Sequence, residues 1–166
     1  MSDGALLGLS KWLGATSLSH QIQGVGWIIP TLQTVHILGV AVLFSSVTLV
    51  NLRVLQVLQR DAPLADVAQR FLPVVFPLLL VLLASGSLLI IGEPRRSLIN
   101  ATFYLKMTLL LVAIVITVCL QRSFASTFWN KTPARRVAVR LAAVLSILVW
   151  CGIIFAGRWI AYTQAG

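Results

Sequence analysis

Carboxylates are nearly missing from this chain. Its 166 residues carry four acidic side chains against 13 Lys and Arg, and two histidines. The acids are Asp3, Asp61, Asp66 and Glu93, scattered along the sequence. Paired-carboxylate hydrolysis and di-iron carboxylate chemistry both need several converging acids, so both are excluded. Cysteine is as scarce. Cys119 and Cys151 fall in apolar stretches, at depths that differ by about 9 Å on helices rising ~1.5 Å per residue. That is too far for a disulfide, and both read as small apolar fillers. No Cys-x-x-Cys, Cys-x-x-Cys-His or zinc spacing occurs, which excludes c-type haem attachment and structural zinc. Two methionines, two cysteines and two histidines are too few soft ligands for copper transport. There is no Gly-rich phosphate loop and no nucleophile–base arrangement. The start, "MSDGALLGLSKWLG", lacks the basic region and long apolar stretch of a cleavable signal peptide.

What is abundant is apolar. Hydrophobic residues make up 58% of the chain, charged residues 10%, and the mean hydropathy is +0.95. A soluble domain carries about 25% charged residues, so the deficit reads as an integral membrane protein embedded in a lipid bilayer. Net charge is +9. The basic residues sit in short connections between apolar stretches. This is the positive-inside pattern, with contact to anionic headgroups, rather than a nucleic-acid-binding surface.

Four stretches are long enough to span, at about residues 28–58, 71–91, 102–120 and 139–162. Spanning backbone must satisfy its own hydrogen bonds, so these are helices. The fold class is all-α, a four-helix transmembrane bundle forming one domain over 1–166. Residues 5–13, "ALLGLSKWL", are too short to span and read as an interfacial helix. Gly24, Gly26 and Pro30 break the chain before the first span. Pro73 and Pro77 are expected to kink or unwind the start of the second. Arg53, Arg60, Arg70, Arg122, Lys131, Arg135, Arg136 and Arg140 gather at one side, which is expected to be cytoplasmic. Both termini then face outward from a bacterial inner membrane. Trp27, Tyr104, Trp159 and Tyr162 form an aromatic belt on the outer side.

The outer half collects the polar groups. His36 lies roughly 12 Å inside the first span at ~1.5 Å per residue. Lys106 and Arg158 each sit about one turn inside their spans, and Glu93 closes the second. Gln33, His36, Gly39, Leu43, Ser46, Val50 and Arg53 step by three or four residues and share one face. Lys106, Ala113, Thr117 and Gln121 repeat the pattern. Such stripes face the bundle interior, so His36 and Lys106 both look inward.

Two chemistries suit this set. One is haem b, with His36 as an axial ligand and His20 or Met107 as the sixth. Lys106, Arg158, Arg95 and Arg96 would then neutralise propionates, and Glu93 would orient Lys106 or Arg158. The other is a quinone held by His36 beside a cation, with Gln33 on the same face. A plainer reading gives His36 one hydrogen bond to a neighbouring Ser or Thr, and the chain the role of a non-catalytic membrane anchor or assembly subunit. A periplasmic or membrane redox partner, or a homo- or hetero-oligomer, is compatible with each.

"LQTVHILGVAVLFSSVTLVNLRVL", "GEPRRSLINATFYLKM" and "GRWIAY" together resemble an uncharacterised family of small bacterial four-helix membrane proteins, over most of the chain. His36 and Lys106 in apolar helices are more distantly similar to the CopD-type membrane domain. That resemblance implies a bundle related to b-type cytochromes and a link to copper or redox chemistry. The chain lacks the further histidines of two-haem bundles, which leaves room for one haem on the outer side.

Overall fold

A computed structural model describes residues 2–58, 64–125 and 132–160. Every element in it is a helix: α1 (Ser2–Gly14), α2 (Ser17–Gly24), α3 (Ile28–Val54), α4 (Leu64–Gly92), α5 (Pro94–Leu98), α6 (Ala101–Ala125) and α7 (Pro133–Trp159). Four of them contain segments long and apolar enough to cross a membrane: Ile28–Val54, Gln69–Gly92, Ala101–Ser123 and Pro133–Trp159. Arg60, Lys131 and Tyr162, assigned above to the basic side and the aromatic belt, lie outside the described residues.

The long helices close into a ring. α3 packs along α4 and against α7, α6 packs along α7, and α4 meets α6 more sparsely. The expected interior face of α3 is the observed one: Gly39, Leu43, Ser46 and Val50 are buried, joined by Val47, Asn51 and Val54. On α6, Ala113 and Thr117 are buried as expected. Leu43 and Ala113 reach 0% exposure and, with Val47, Val75, Val149, Trp150 and Ile153, form the central layer. Val54, Leu120, Val139 and Ala143 form a second layer nearer the basic end, where α3 and α6 finish and α4 and α7 begin.

Close approach is built in by glycine. A methyl at Gly39 would stand 3.0 Å from Leu82 Cδ2, so α3 and α4 pack there without room for a side chain. α4 runs through Pro73 and Pro77 as one continuous helix, so the expected unwinding of its start does not occur. Both proline side chains lie on its exposed face, so their rings do not disturb interhelical packing. α3 ends in a Schellman closure. Gln56 takes a left-handed φ of 59°, its N–H bonds Arg53 O, and the Val57 N–H reaches back to Leu52 O. Arg140 Nη2 donates to Gln56 Oε1 at 3.0 Å, tying that strained turn to the start of α7.

The short helix expected over 5–13 is α1, and a second short helix, α2, follows it. Thr16 separates them: its hydroxyl donates to Leu13 O and accepts from the Ser19 N–H, ending α1 and capping α2. α2 then sits over the end of α4. Ser19 Oγ donates to Ile91 O at 2.8 Å, and Gln23 Nε2 donates to Gly92 O at 2.9 Å. These are last-turn carbonyls that a helix leaves unpaired. Ile22 seals the contact, lying 2.9 Å from where a methyl on Gly92 would stand. α1 packs on α5, where Gly14 meets Pro94, while Leu9 and Trp12 stay exposed. The end carrying α1, α2 and α5 is the cap end.

Deep in the other half, Asn51 Nδ2 donates to Ser146 Oγ at 3.0 Å, both residues fully buried. This bond joins α3 to α7 where water is scarce. A double-mutant cycle with Asn51→Ala and Ser146→Ala should give a coupling of about 0.6 to 1.7 kcal/mol in detergent-unfolding measurements. Additive costs would show that the bond contributes nothing beyond packing.

Candidate functional site

The site draws on all four long helices. α3 supplies His36, α4 supplies Ser85 and Gly86, α6 supplies Lys106 and α7 supplies Gly157. His36 Nδ1 is 2.8 Å from Ser85 Oγ. The Ser85 hydroxyl has one proton, and it points to Val81 O at 2.7 Å in its own helix. Ser85 Oγ therefore accepts from the His36 Nδ1–H, and Nε2 keeps its lone pair. A histidine held through Nδ1 with Nε2 unprotonated is in the form that metals and hydroxyl donors use.

Gly86 sets the ring against the α4 backbone. A methyl there would lie 3.3 Å from His36 Cε1, so the neighbouring ring would have to shift by a few tenths of an ångström. The packing at Gly157 is looser: a methyl there would stand at ordinary contact distance from Lys106 Nζ and Cε, 3.7 and 3.8 Å. The Lys106 ammonium lies close enough to the His36 ring to interact with it coulombically. Among the described residues, no carboxylate and no hydrogen-bond acceptor meets Lys106.

The other expected site residues divide. Gln33 is half-buried one turn nearer the cap on the α3 face that bears His36. Glu93 does not orient Lys106 or Arg158. It pairs with Arg96 at 2.9 Å in the α4–α5 turn, because three residues in one short helical turn bring those two together. Arg95 is exposed beside them, and Arg158 is exposed on the last turn of α7. His20 is exposed on α2. Ser19, Ile22 and Gln23 turn to α4, and His20 falls on the flank of that face. The α4 carbonyls they bond lie nearly two turns beyond Ser85, so His20 and His36 stand at different levels. Met107 is 40% exposed on the outer surface of α6, one position off the Lys106 face. The fold thus brings together His36 and Lys106 with Ser85, Gly86 and Gly157, and leaves His20 and Met107 outside. Ser85 and Gly86 are legible in the sequence as the small-residue patch "LLASGSLL", but their pairing with His36 needs the α3–α4 register.

These features define an all-α, multi-pass membrane bundle with a polar cluster toward its cap end. Residues 10–163 match the family described as "Family of unknown function (DUF6644)", and the chain belongs to that family. No curated protein and no solved structure matches the chain.

The tautomer is directly observable. Nitrogen NMR of ring-labelled protein should show His36 protonated at Nδ1 alone, and Ser85→Ala should abolish that single-tautomer signal. A wild-type signal from Nε2–H would reverse the hydrogen-bond direction. Gly86→Leu should displace the ring and lose the same signal, whereas Gly157→Ala, at ordinary contact distance, should keep it.

Proposed function

We propose that this protein is a redox-linked membrane protein that binds one haem b at the cap end of its bundle, through His36. The observation that carries the reading is the His36–Ser85 bond, which leaves the Nε2 lone pair available. The donor set fits the group. A neutral imidazole fixed through its far nitrogen suits iron, and a carboxylate-free ammonium beside it suits an acidic rim. Bound haem supplies reversible one-electron transfer. In this reading Ser85 orients His36, Gly86 admits its ring, and Lys106 and Arg158 take carboxylates. With His20 and Met107 turned outward, His36 is the chain's one ligand. The sequence likeness to CopD-type domains points the same way.

A quinone is the second reading, favoured by the outward placement of His20 and Met107. Nε2 would accept a hydrogen bond from a hydroxyl of the quinol, and Lys106 would donate one to a carbonyl oxygen of the oxidised quinone. In both readings the cap end faces outward from a bacterial inner membrane. The support is the basic end, where Arg53, Arg70, Arg122, Arg135, Arg136 and Arg140 gather.

The test is a dithionite-reduced minus oxidised absorbance spectrum of protein produced with full haem supply. A sharp α-band and a shifted Soret peak are expected, lost in His36→Ala and retained in His20→Ala and Met107→Leu. A flat spectrum overturns the haem reading. A quinone analogue that then raises the melting temperature supports the second reading. Absence of both effects leaves a membrane anchor for a partner subunit.

A further inference from the structure

We infer that the His36–Lys106 site communicates with one side of the membrane only, the side on which α1, α2 and α5 lie. This rests on taking that pair as the functional site, whatever it binds. Its consequence is that a proton or ligand taken up there leaves by the same side, so the chemistry at His36 moves no proton through the bundle.

The seal is the central apolar layer. Below His36, α3 turns inward Gly39 and then Leu43, Ser46 and Val47. Leu82 closes against Gly39, and Leu43, Val75, Ala113 and Ile153 fill the next turns with no residual exposure to speak of. From Gly39 to Val47 this is about 12 Å of helix. Two interior hydroxyls near this layer, those of Ser46 and Thr117, are taken up by their own helices. Ser46 Oγ donates to Val42 O, and Thr117 Oγ1 donates to Ala113 O. The next polar contact is Asn51–Ser146, where two side chains bond each other.

Two buried polar atoms have no partner among the described residues, Trp150 Nε1 and Thr48 Oγ1. The antiparallel register set by Asn51–Ser146 puts both one turn from that bond, on the far side of Leu43 and Ile153 from His36. A water there would be enclosed and would not reach the site. Toward the cap the burial relaxes. Lys106, His36 and Gln33 are each half-buried, where the layer beneath them is closed.

The experiment is thiol labelling in sealed proteoliposomes. Cys119→Ala and Cys151→Ala give a cysteine-free background. Into it go His36→Cys and Lys106→Cys, each tested separately, with Lys11→Cys marking the cap end and Arg140→Cys the basic end. A charged, membrane-impermeant methanethiosulfonate is applied outside or trapped inside. Both site positions should label from the Lys11→Cys side and roughly a hundredfold more slowly from the Arg140→Cys side, given the cost of taking charge through an apolar core. Equal labelling from both sides, labelling from the Arg140→Cys side, or none from either side in both variants would overturn the inference. The labelling needs no haem or quinone, so a flat absorbance spectrum leaves the inference intact. Symmetric labelling, in turn, has no bearing on whether haem binds.

Discussion

Water is excluded from the hydrocarbon of a bilayer, and each polar group placed there needs a partner inside the protein. Nearly every interior feature of this bundle answers that constraint. Ser46 and Thr117 bond back to their own helices. Asn51 and Ser146 bond each other across α3 and α7. At the cap end, Ser19 and Gln23 take the last carbonyls of α4, which would otherwise end without donors. Lys106 stands out against this pattern. It is a half-buried ammonium with no acceptor among the described residues, and it is within coulombic range of the histidine with a free ring nitrogen. Apart from Thr48 Oγ1 and Trp150 Nε1 deeper in the bundle, the described residues leave complementary valences at this one place.

The cluster is also fixed in position. His36 is pinned by a hydrogen bond at one nitrogen and by Gly86 against its Cε1 edge, and the Lys106 stem lies along Gly157. Each of these contacts crosses from one helix to another. The geometry of the pair therefore depends on the packing of the whole ring of helices, with the apolar layer around Leu43 and Ala113 holding the four at their spacing.

Much of this is legible from periodicity. The inward stripe of α3 through Gly39, Leu43, Ser46 and Val50 follows from steps of three and four residues, as does the inward turn of Ala113 and Thr117. The spans follow from length and hydropathy. Pairings are not legible, because they depend on register between helices. Asn51 and Ser146 look like ordinary small polar residues in apolar runs until α3 and α7 are set side by side. Depth along the spans points Glu93 to distant cations, but the local turn through Pro94 brings Arg96 to it first. The boundary between α1 and α2 at Thr16 turns on one hydroxyl that serves two backbone groups. Propensity alone predicts a kink or unwinding at Pro73 and Pro77, and the long apolar helix around them stays wound.

The cap latch also fixes an order of assembly. Ser19 and its acceptor Ile91 are 72 residues apart, so α2 cannot close over the bundle until the whole of α4 has been synthesised and its last carbonyls exist. Asn51 waits longer still, for Ser146 lies 95 residues downstream on α7. The buried amide of Asn51 has to find its partner after three of the four spans are already in the membrane. Chain growth itself thus sequences the two interhelical ties, with the cap available first and the deep clamp last.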